Sequence, residues 1–306
     1  MKKVVVVAGG LSSEKEVSLQ TGKGVFEALL TKGYDAHLVQ LTEDIPLFVE
    51  TLKQIKPDVV FNALHGKFGE DGNIQGLLNL MGIPYTHSGV LASSVGMDKH
   101  FAKMAFNMAG IPVAPEKIVT LSDIKSGISL PYPYVIKPIN EGSSVGVFII
   151  ENEQQEQNLI VSWPFGGAKV MMETYIPGRE MTVSVINGKA IAITEIAPKT
   201  GFYNYENKYL DGMSEHIVPA NLPLDAQEKM MQFAQKAHVI LGCRGASRTD
   251  FRYDDTNPQK PHIVALEINT QPGMTPLSLL PEAAKYAGIS YEDLVSLLVE
   301  EAACEQ

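Results

Sequence analysis

The stretch His262–Thr275, which reads HIVALEINTQPGMT, constrains the fold most strongly. Its first half is a nearly continuous apolar run, which is typical of a strand buried on both faces. Glu267 and Asn269 interrupt this run two residues apart, so a strand directs both side chains to the same face. A buried carboxylate without a partner is costly, so we expect a cation beside Glu267.

A second segment, ASRTDFRYD, carries Arg248 and Asp250 at the same spacing, and residues 254–260 have the composition of a turn. Two adjacent antiparallel strands would therefore gather Asp250, Glu267 and Asn269 on one face, with Arg248 alongside. Oxygen ligands of this kind suit Mg²⁺, which proteins usually hold with one or two carboxylates plus substrate phosphates. The alternative is a purely structural cluster of Arg, Asp and Glu, and the spacing leaves both interpretations open.

The N-terminal part of the chain alternates strand and helix patterns, which predicts a small parallel sheet with helices on its faces over residues 1–95. The predicted strands are Val4–Ala8, Ala36–Gln40, Asp58–Leu64 and a fourth near Gly82–Tyr85, with a helix near Ile45–Ile55. The ends of such strands form the usual ligand-binding edge of a parallel sheet.

Two loops at that edge carry candidate binding residues. Glu14 follows a glycine turn at a predicted helix start, where Ser13 and Glu16 match the capping-box pattern. Its carboxylate would meet an ammonium group, or it would simply be an acid in a first helical turn. His65 opens the loop HGKFGEDG, where it would bind a substrate carboxylate or cap the loop.

The middle of the chain contains a candidate phosphate site. Lys137 ends a predicted strand and precedes the Gly/Ser-rich segment NEGSSVGV, whose backbone N–H groups and hydroxyls would cradle a nucleotide triphosphate. A plain mobile hairpin is the alternative. A polar, aromatic segment over residues 197–218 is typical of an active-site lid, with a disordered insertion as the alternative.

Length and composition exclude several classes. A chain of 306 residues predicts two or three domains. The net charge of −10 argues against nucleic acid or an anionic membrane as partner. The two cysteines, Cys243 and Cys304, have no metal-ligand spacing, and no apolar run approaches the ~20 residues that span a bilayer. We expect a cytoplasmic protein.

In chain order, these motifs resemble the D-alanine–D-alanine ligases of the ATP-grasp superfamily, and the resemblance covers the whole chain. The resemblance implies an α/β fold: a small N-terminal parallel-sheet domain (1–95), followed by a two-lobed ATP-grasp fold with mixed or antiparallel sheets (96–180 and 181–306). The matching segments are GGLSSEKEVS (9–18), ALHGKFGEDG (63–72), MDK (97–99), VIKPINEGSSVGV (135–147), FYNYENKY (202–209), SRTDF (247–251) and EINTQPGMTPLSLLP (267–281).

The resemblance also implies a reaction. The γ-phosphoryl group of ATP passes to the carboxylate of one D-alanine, and the amino group of a second D-alanine attacks the resulting D-alanyl phosphate. The product, D-alanyl-D-alanine, serves peptidoglycan synthesis. The implied cofactors are ATP and two Mg²⁺ ions, with Mn²⁺ as an alternative, and the implied assembly is a homodimer.

Matched positions carry the family's roles onto this chain. The implied metal ligands are Asp250, Glu267 and Asn269, and the implied nucleotide-binding residues are Lys99, Lys137, Glu173, Tyr175, Ile176, Glu180, Phe202 and Lys208. His65, Ser278 and Leu279 would bind the amino-acid substrates. The implied catalytic set is Glu14, Ser143, Tyr209, Arg248 and Gly273.

Two rival functions remain at this point. The nearer rival is a D-alanine–D-lactate or D-alanine–D-serine ligase on the same scaffold. The lactate-forming relatives have a histidine where this chain has Tyr209, which favours D-alanine here. The other rival is a nucleotide-binding regulator on a degenerate scaffold, which should have lost metal ligands and phosphate lysines, and this chain retains them.

Overall fold

The computed structural model describes residues 1–142, 145–164, 169–198, 214–257, 259 and 261–305. Its N-terminal unit is a three-stranded parallel sheet in the order β2-β1-β3. The strands are β1 (Lys3–Gly9), β2 (Asp35–Leu41) and β3 (Val59–Asn62), and the helices around them are α1 (Lys15–Thr31), α2 (Ile45–Ile55) and α3 (Asn73–Met81). The residues Val4 to Val7 are fully buried, because helices cover both faces of the central strand.

The predicted fourth strand near Gly82–Tyr85 is wrong. Only Tyr85 pairs there, through isolated bridges to Val60 and Ala303. Two features explain the short pairing: Gly82 has a φ of +66° and ends α3, and Pro84 has no N–H to donate to a ladder.

The second unit is a four-stranded antiparallel sheet in the order β4-β7-β5-β6. Its strands are β4 (Glu116–Val119), β5 (Tyr134–Lys137), β6 (Phe148–Ile150) and β7 (Val170–Thr174). Two helices, α6 (Leu121–Lys125) and α7 (Glu153–Ser162), pack on one another beside it. Its small core includes Tyr134, Ile136 and Met172, so the sheet is anchored by apolar burial on one side.

The third unit is a five-stranded antiparallel sheet in the order β10-β9-β8-β11-β12. Its strands are β8 (Arg179–Ile186), β9 (Lys189–Pro198), β10 (Ser214–Ile217), β11 (Ala246–Asp254) and β12 (His262–Asn269). The turn between β8 and β9 uses Asn187 and Gly188, both at positive φ, as the Asn-Gly pair predicts. Helices α4 (Val90–Met97), α5 (Lys99–Met108) and α8 (Leu224–Ile240) pack against this sheet.

The two remaining helices, α9 (Leu279–Tyr286) and α10 (Tyr291–Glu300), connect the end of the chain to its beginning. Helix α10 packs on α1, and Leu294 and Leu298 share one buried cluster with Val6 and Leu29. The N-terminal sheet is therefore completed by C-terminal residues. No helix in the described ranges is long and apolar enough to span a membrane.

Candidate functional site

A cavity of about 770 Å³, open to solvent, lies between the four-stranded and five-stranded sheets. It brings together residues that are far apart in the sequence, as expected for a site between two lobes. Eight of the predicted site residues line it: Lys99, Lys137, Glu173, Tyr175, Ile176, Glu180, Asp250 and Glu267. The apolar part of the lining comes mainly from Val135, Val145, Val147 and Leu266.

Glu173 is the most buried acid of this cavity, with an exposed fraction of 3%. Its Oε1 accepts a 2.6 Å hydrogen bond from Lys137 Nζ, and its Oε2 accepts one from Lys103 Nζ. Burial by itself raises the pKa of Glu173, but the charges of Lys137 and Lys103 outweigh it and hold the pKa below its ordinary value. The carboxylate is therefore ionised, and it is fixed from both sides.

The acidic edge of the cavity is built by β11 and β12. Their register pairs Asp250 with Glu267 and Arg248 with Asn269, so the four side chains share one face as the spacing predicts. The Arg248 guanidinium binds both oxygens of Asp250, at 3.0 and 3.1 Å. The cation beside Glu267 is Lys99, whose Nζ lies 3.0 Å from Oε2 and also donates to the Glu141 carbonyl.

The donor set of this edge fits Mg²⁺. Asp250, Glu267 and Asn269 supply two carboxylates and an amide oxygen, and hard oxygen donors of this kind leave coordination positions for phosphate oxygens. No group of three His, Cys, Asp or Glu residues that would hold a metal occurs in the part of the chain that the structure describes.

A second group of predicted residues lies at the N-terminal sheet, beside the cavity rather than in its lining. An added Cβ at Gly66 would lie 2.6 Å from Glu14 Oε2, and one at Gly142 would lie 3.8 Å from the same oxygen. Gly142 follows Glu141, whose carbonyl oxygen is held by Lys99. The Glu14 carboxylate therefore lies next to the segment that leads into the Gly/Ser-rich hairpin.

His65 is buried beneath this loop. Its Nε2 lies 3.0 Å from Thr21 Oγ1 and its Nδ1 lies 3.2 Å from Glu70 Oε1. Burial lowers the pKa of His65, but the hydrogen bond and charge of Glu70, with the charge of Glu14, raise it above its ordinary value overall. Both ring nitrogens are engaged by the protein, so His65 organises the loop in addition to any substrate contact.

The start of α9 is a third part of the candidate site. Ser278 is its N-cap residue, and its hydroxyl accepts a 3.1 Å hydrogen bond from Thr275 N. An added Cβ at Gly273 would lie 3.1 Å from Ser278 Oγ, so the Gly273 backbone and the helix start are adjacent. A helix N-terminus presents N–H groups that suit a carboxylate.

Three residues of the site have no counterpart among the sequence predictions. Gln271 accepts from Asn62 Nδ2 at 2.7 Å and donates to the Leu64 carbonyl at 2.6 Å, so it ties the end of β12 to the N-terminal sheet. Thr182 donates to Asp250 at 2.5 Å, and Arg252 lines the cavity. Strand alternation would have found two of them, because Thr182 and Arg252 lie on the same face of β8 and β11 as residues that the sequence did predict.

Four predicted residues lie outside the described residues: Ser143, Phe202, Lys208 and Tyr209. The same holds for most of the predicted lid, since 199–213 are not described.

Two family models and several proteins of known sequence match this chain. A family model described as D-ala D-ala ligase C-terminus matches residues 105–300, and one described as D-ala D-ala ligase N-terminus matches residues 48–88. The D-alanine–D-alanine ligases of Acidiphilium cryptum and Paramagnetospirillum magneticum are 51% and 49% identical over 305 residues, covering 99% of this chain and 99% of each relative.

Solved structures agree with the sequence relatives. The crystal structure of the D-alanine–D-alanine ligase from Bacillus anthracis complexed with ATP matches with a TM-score of 0.82 and 32% identity. That match covers 98% of this chain and 96% of the other.

Proposed function

The chain belongs to the D-alanine–D-alanine ligase family, and we propose that it uses ATP to join two D-alanine molecules, releasing ADP and phosphate. The observation that carries this proposal is the cavity between the sheets. It combines Lys99, Lys137, Asp250 and Glu267 around one opening, which is the charge pattern that phosphoryl transfer between anions requires. The dipeptide product would serve peptidoglycan synthesis.

The ATP-grasp cavity would hold the nucleotide as follows. Lys99 and Lys137 bind phosphate oxygens, with Lys208 joining them from the lid segment. Glu173 and the backbone of Tyr175 and Ile176 read adenine. Glu180, which lies 3.6 Å from the Arg252 guanidinium, binds ribose, and Phe202 packs near the base.

Asp250, Glu267 and Asn269 would hold two Mg²⁺ ions, with Mn²⁺ as an alternative. Bound there, the ions would neutralise phosphate charge as the γ-phosphoryl group moves to a carboxylate. The pairing of Glu267 with Lys99 supports the assignment, because the lysine is free to turn to a phosphate once a cation compensates the carboxylate.

The amino-acid end would use the groups around the N-terminal sheet. Glu14 binds the ammonium of the first D-alanine, with His65 nearby, and Ser143 and Tyr209 link to Glu14 and fasten the lid. The N-terminus of α9, at Ser278 and Leu279, binds the carboxylate of the second D-alanine. The acyl phosphate forms on the first substrate, and the second substrate's amino group attacks its carbonyl carbon.

Arg248 and the Gly273 N–H would stabilise the oxyanion of the resulting tetrahedral intermediate. A donor of this kind typically lowers the activation free energy by about 3–4 kcal/mol. Asp250 holds the Arg248 guanidinium through two hydrogen bonds, so the donor is fixed before the charge develops. The residues therefore act by positioning and electrostatics. Phosphate leaves when the bond between its oxygen and the acyl carbon breaks.

Product analysis tests the proposal. The enzyme is incubated with ATP, Mg²⁺ and D-alanine in the presence of equal D-lactate or D-serine, and the products are separated by mass spectrometry. We expect D-alanyl-D-alanine to predominate near neutral pH. A depsipeptide or a D-alanyl-D-serine product in excess would favour the rival ligases, and ATP turnover without any condensed product would contradict ligase activity.

We further propose a cytoplasmic homodimer. Large apolar side chains are exposed on neighbouring helices α3, α4 and α5: Leu80 is 90% exposed, Leu91 69% and Met108 83%. Exposed apolar side chains are typical of an interface where they form a contiguous patch. Light scattering coupled to size exclusion tests the assembly, and a monomeric Leu91→Glu variant would locate the interface.

A further inference from the structure

Lys103 is a fully buried lysine behind the nucleotide cavity. It lies one helical turn after Lys99 on α5, so the two lysines extend from the same face of the helix. Lys99 lines the cavity and Lys103 does not. The exposed fraction of Lys103 is 1%, and an ammonium group buried to this extent is costly unless anions surround it.

The Lys103 ammonium lies between two acids on adjacent strands. Glu116 on β4 and Glu173 on β7 are directly paired across the ladder, where like charges repel. Lys103 Nζ binds Glu173 Oε2 and lies 3.3 Å from Glu116 Oε2 and 3.4 Å from the Ala114 carbonyl. His100 lies 2.6 Å from the other oxygen of Glu116. The lysine thus neutralises a repulsion that the strand pairing creates.

Glu173 has two lysine partners, but they differ in what they can do. Lys137 lines the cavity, and under the proposed function it turns to the nucleotide phosphates. Lys103 has no access to the cavity and stays with Glu173. Once Lys137 leaves, the only remaining cation among the groups that face Glu173 from α5, β4 and β5 in the described structure is Lys103.

We propose that Lys103 is a positioning residue for nucleotide recognition: it keeps Glu173 ionised and fixed so that this carboxylate accepts a hydrogen bond from the exocyclic amino group of adenine. The proposal rests on the proposed function, because it takes ATP as the substrate. The selection of adenine then depends on Lys103, a buried lysine that does not contact the nucleotide. Without Lys103, Glu173 in its apolar surroundings takes up a proton when Lys137 engages phosphate.

The test compares ATP with inosine triphosphate, in which a carbonyl oxygen replaces the exocyclic amino group. An ionised Glu173 favours ATP, whereas a protonated Glu173 can donate to the inosine oxygen. In the Lys103→Met variant, we expect the preference for ATP to fall about tenfold near neutral pH, the range for a hydrogen bond to a charged group. The preference should recover as the pH rises, because a higher pH favours the ionised form of Glu173, while the preference of the wild type stays constant.

Affinities are measured by calorimetry with Mg²⁺ present, so ligase activity is not needed. Lys229→Met, which removes an exposed lysine on α8, is the matched control, and Lys103→Arg should retain the preference. The double variant Lys103→Met with Glu116→Gln removes both charges of the Lys103–Glu116 ion pair. It provides the same test if the single variant unfolds. Equal losses for both nucleotides, or an unchanged ratio at every pH, would overturn the role of Lys103. Wild-type protein that binds neither nucleotide would overturn the proposed function as well.

Discussion

Individual residues define the acidic edge, and Glu267 is its most testable member. We expect Glu267→Gln to lower turnover by more than ~100-fold, because the proposed metal site loses one negative ligand and Lys99 loses its ion partner. The Glu267 side chain is 28% exposed, so the fold should be retained. The measurement is ADP release at saturating Mg²⁺ with a circular dichroism melt, and Glu228→Gln on the exposed face of α8 is the control. Near-normal release would contradict the proposed role of Glu267 as a metal ligand.

His65 provides a pH prediction at the same scale. Since its folded pKa is raised, His65 contributes stability that is fully present below the unfolded pKa of about 6.5 and is lost as pH rises through the folded pKa. Glu70→Gln removes the charge that raises that pKa, so the loss in unfolding free energy should be greatest below about pH 6.5 and shrink toward alkaline pH. Urea unfolding across pH measures this. A loss that is constant with pH would mean that His65 does not titrate with Glu70.

The sequence predicted some of these residue contacts and not others, for a physical reason. The shared face of Asp250, Glu267 and Asn269 follows from strand alternation, which is local. The cation beside Glu267 was also expected, but its identity as Lys99 depends on how α5 packs against β12. The pairing of Lys103 with Glu173 likewise depends on a tertiary contact, here between α5 and β7, and no spacing in the sequence indicates it.

Among the elements, the turn before β8 contains the closest approach of another backbone segment to any glycine that the structure describes. Gly178 has a φ of +94°, and an added Cβ would lie 2.2 Å from the Tyr253 carbonyl oxygen. Gly178→Ala therefore adds a backbone clash to the cost of a left-handed alanine, and we expect it to lower the unfolding free energy by about 2 kcal/mol or more. It should also weaken ATP binding, because Arg252 donates hydrogen bonds to the Gly178 and Ile176 carbonyls beside the segment that we propose to read adenine.

The control for this prediction is Gly188→Ala in the turn between β8 and β9. Gly188 also has positive φ, at +73°, but no atom lies within 4 Å of its added Cβ. It should cost only about 1 kcal/mol and leave ATP affinity unchanged. Thermal unfolding and nucleotide titration of both variants decide the matter. Equal effects of the two substitutions would show that the close approach to Tyr253 is unimportant.

Element prediction from sequence was wrong at the start of α1. The capping box of Ser13 and Glu16 is wrong: the N-cap residue of α1 is Glu14, and its side chain makes no capping hydrogen bond. Neighbouring serines serve the sheet instead, since Ser12 donates to the His65 carbonyl and Ser18 to the Ala63 carbonyl. Long periodic elements such as α2, predicted and observed at Ile45–Ile55, were reliable because apolar spacing defines them locally.

The whole molecule depends on the return of α10 to the N-terminal sheet. Leu294 is fully buried there, in one cluster with Val6 and Leu29. Leu294→Ala should cost about 2–5 kcal/mol of unfolding free energy, whereas Leu224→Ala, at a residue that is 77% exposed, should change it by less than about 0.5 kcal/mol. Chemical denaturation of both variants is the measurement. A small loss at Leu294 would mean that the N-terminal sheet is stable without α10.

The central claim also concerns the whole molecule: we propose that the two lobes and the N-terminal sheet together form one site for ligation through an acyl phosphate. The most direct measurement follows oxygen transfer from D-alanine whose carboxylate oxygens are isotopically labelled, incubated with ATP and Mg²⁺. Ligation through D-alanyl phosphate predicts ADP and D-alanyl-D-alanine in equal amounts, with one labelled oxygen in each phosphate released. Unlabelled phosphate, or ADP formed without dipeptide, would contradict the account.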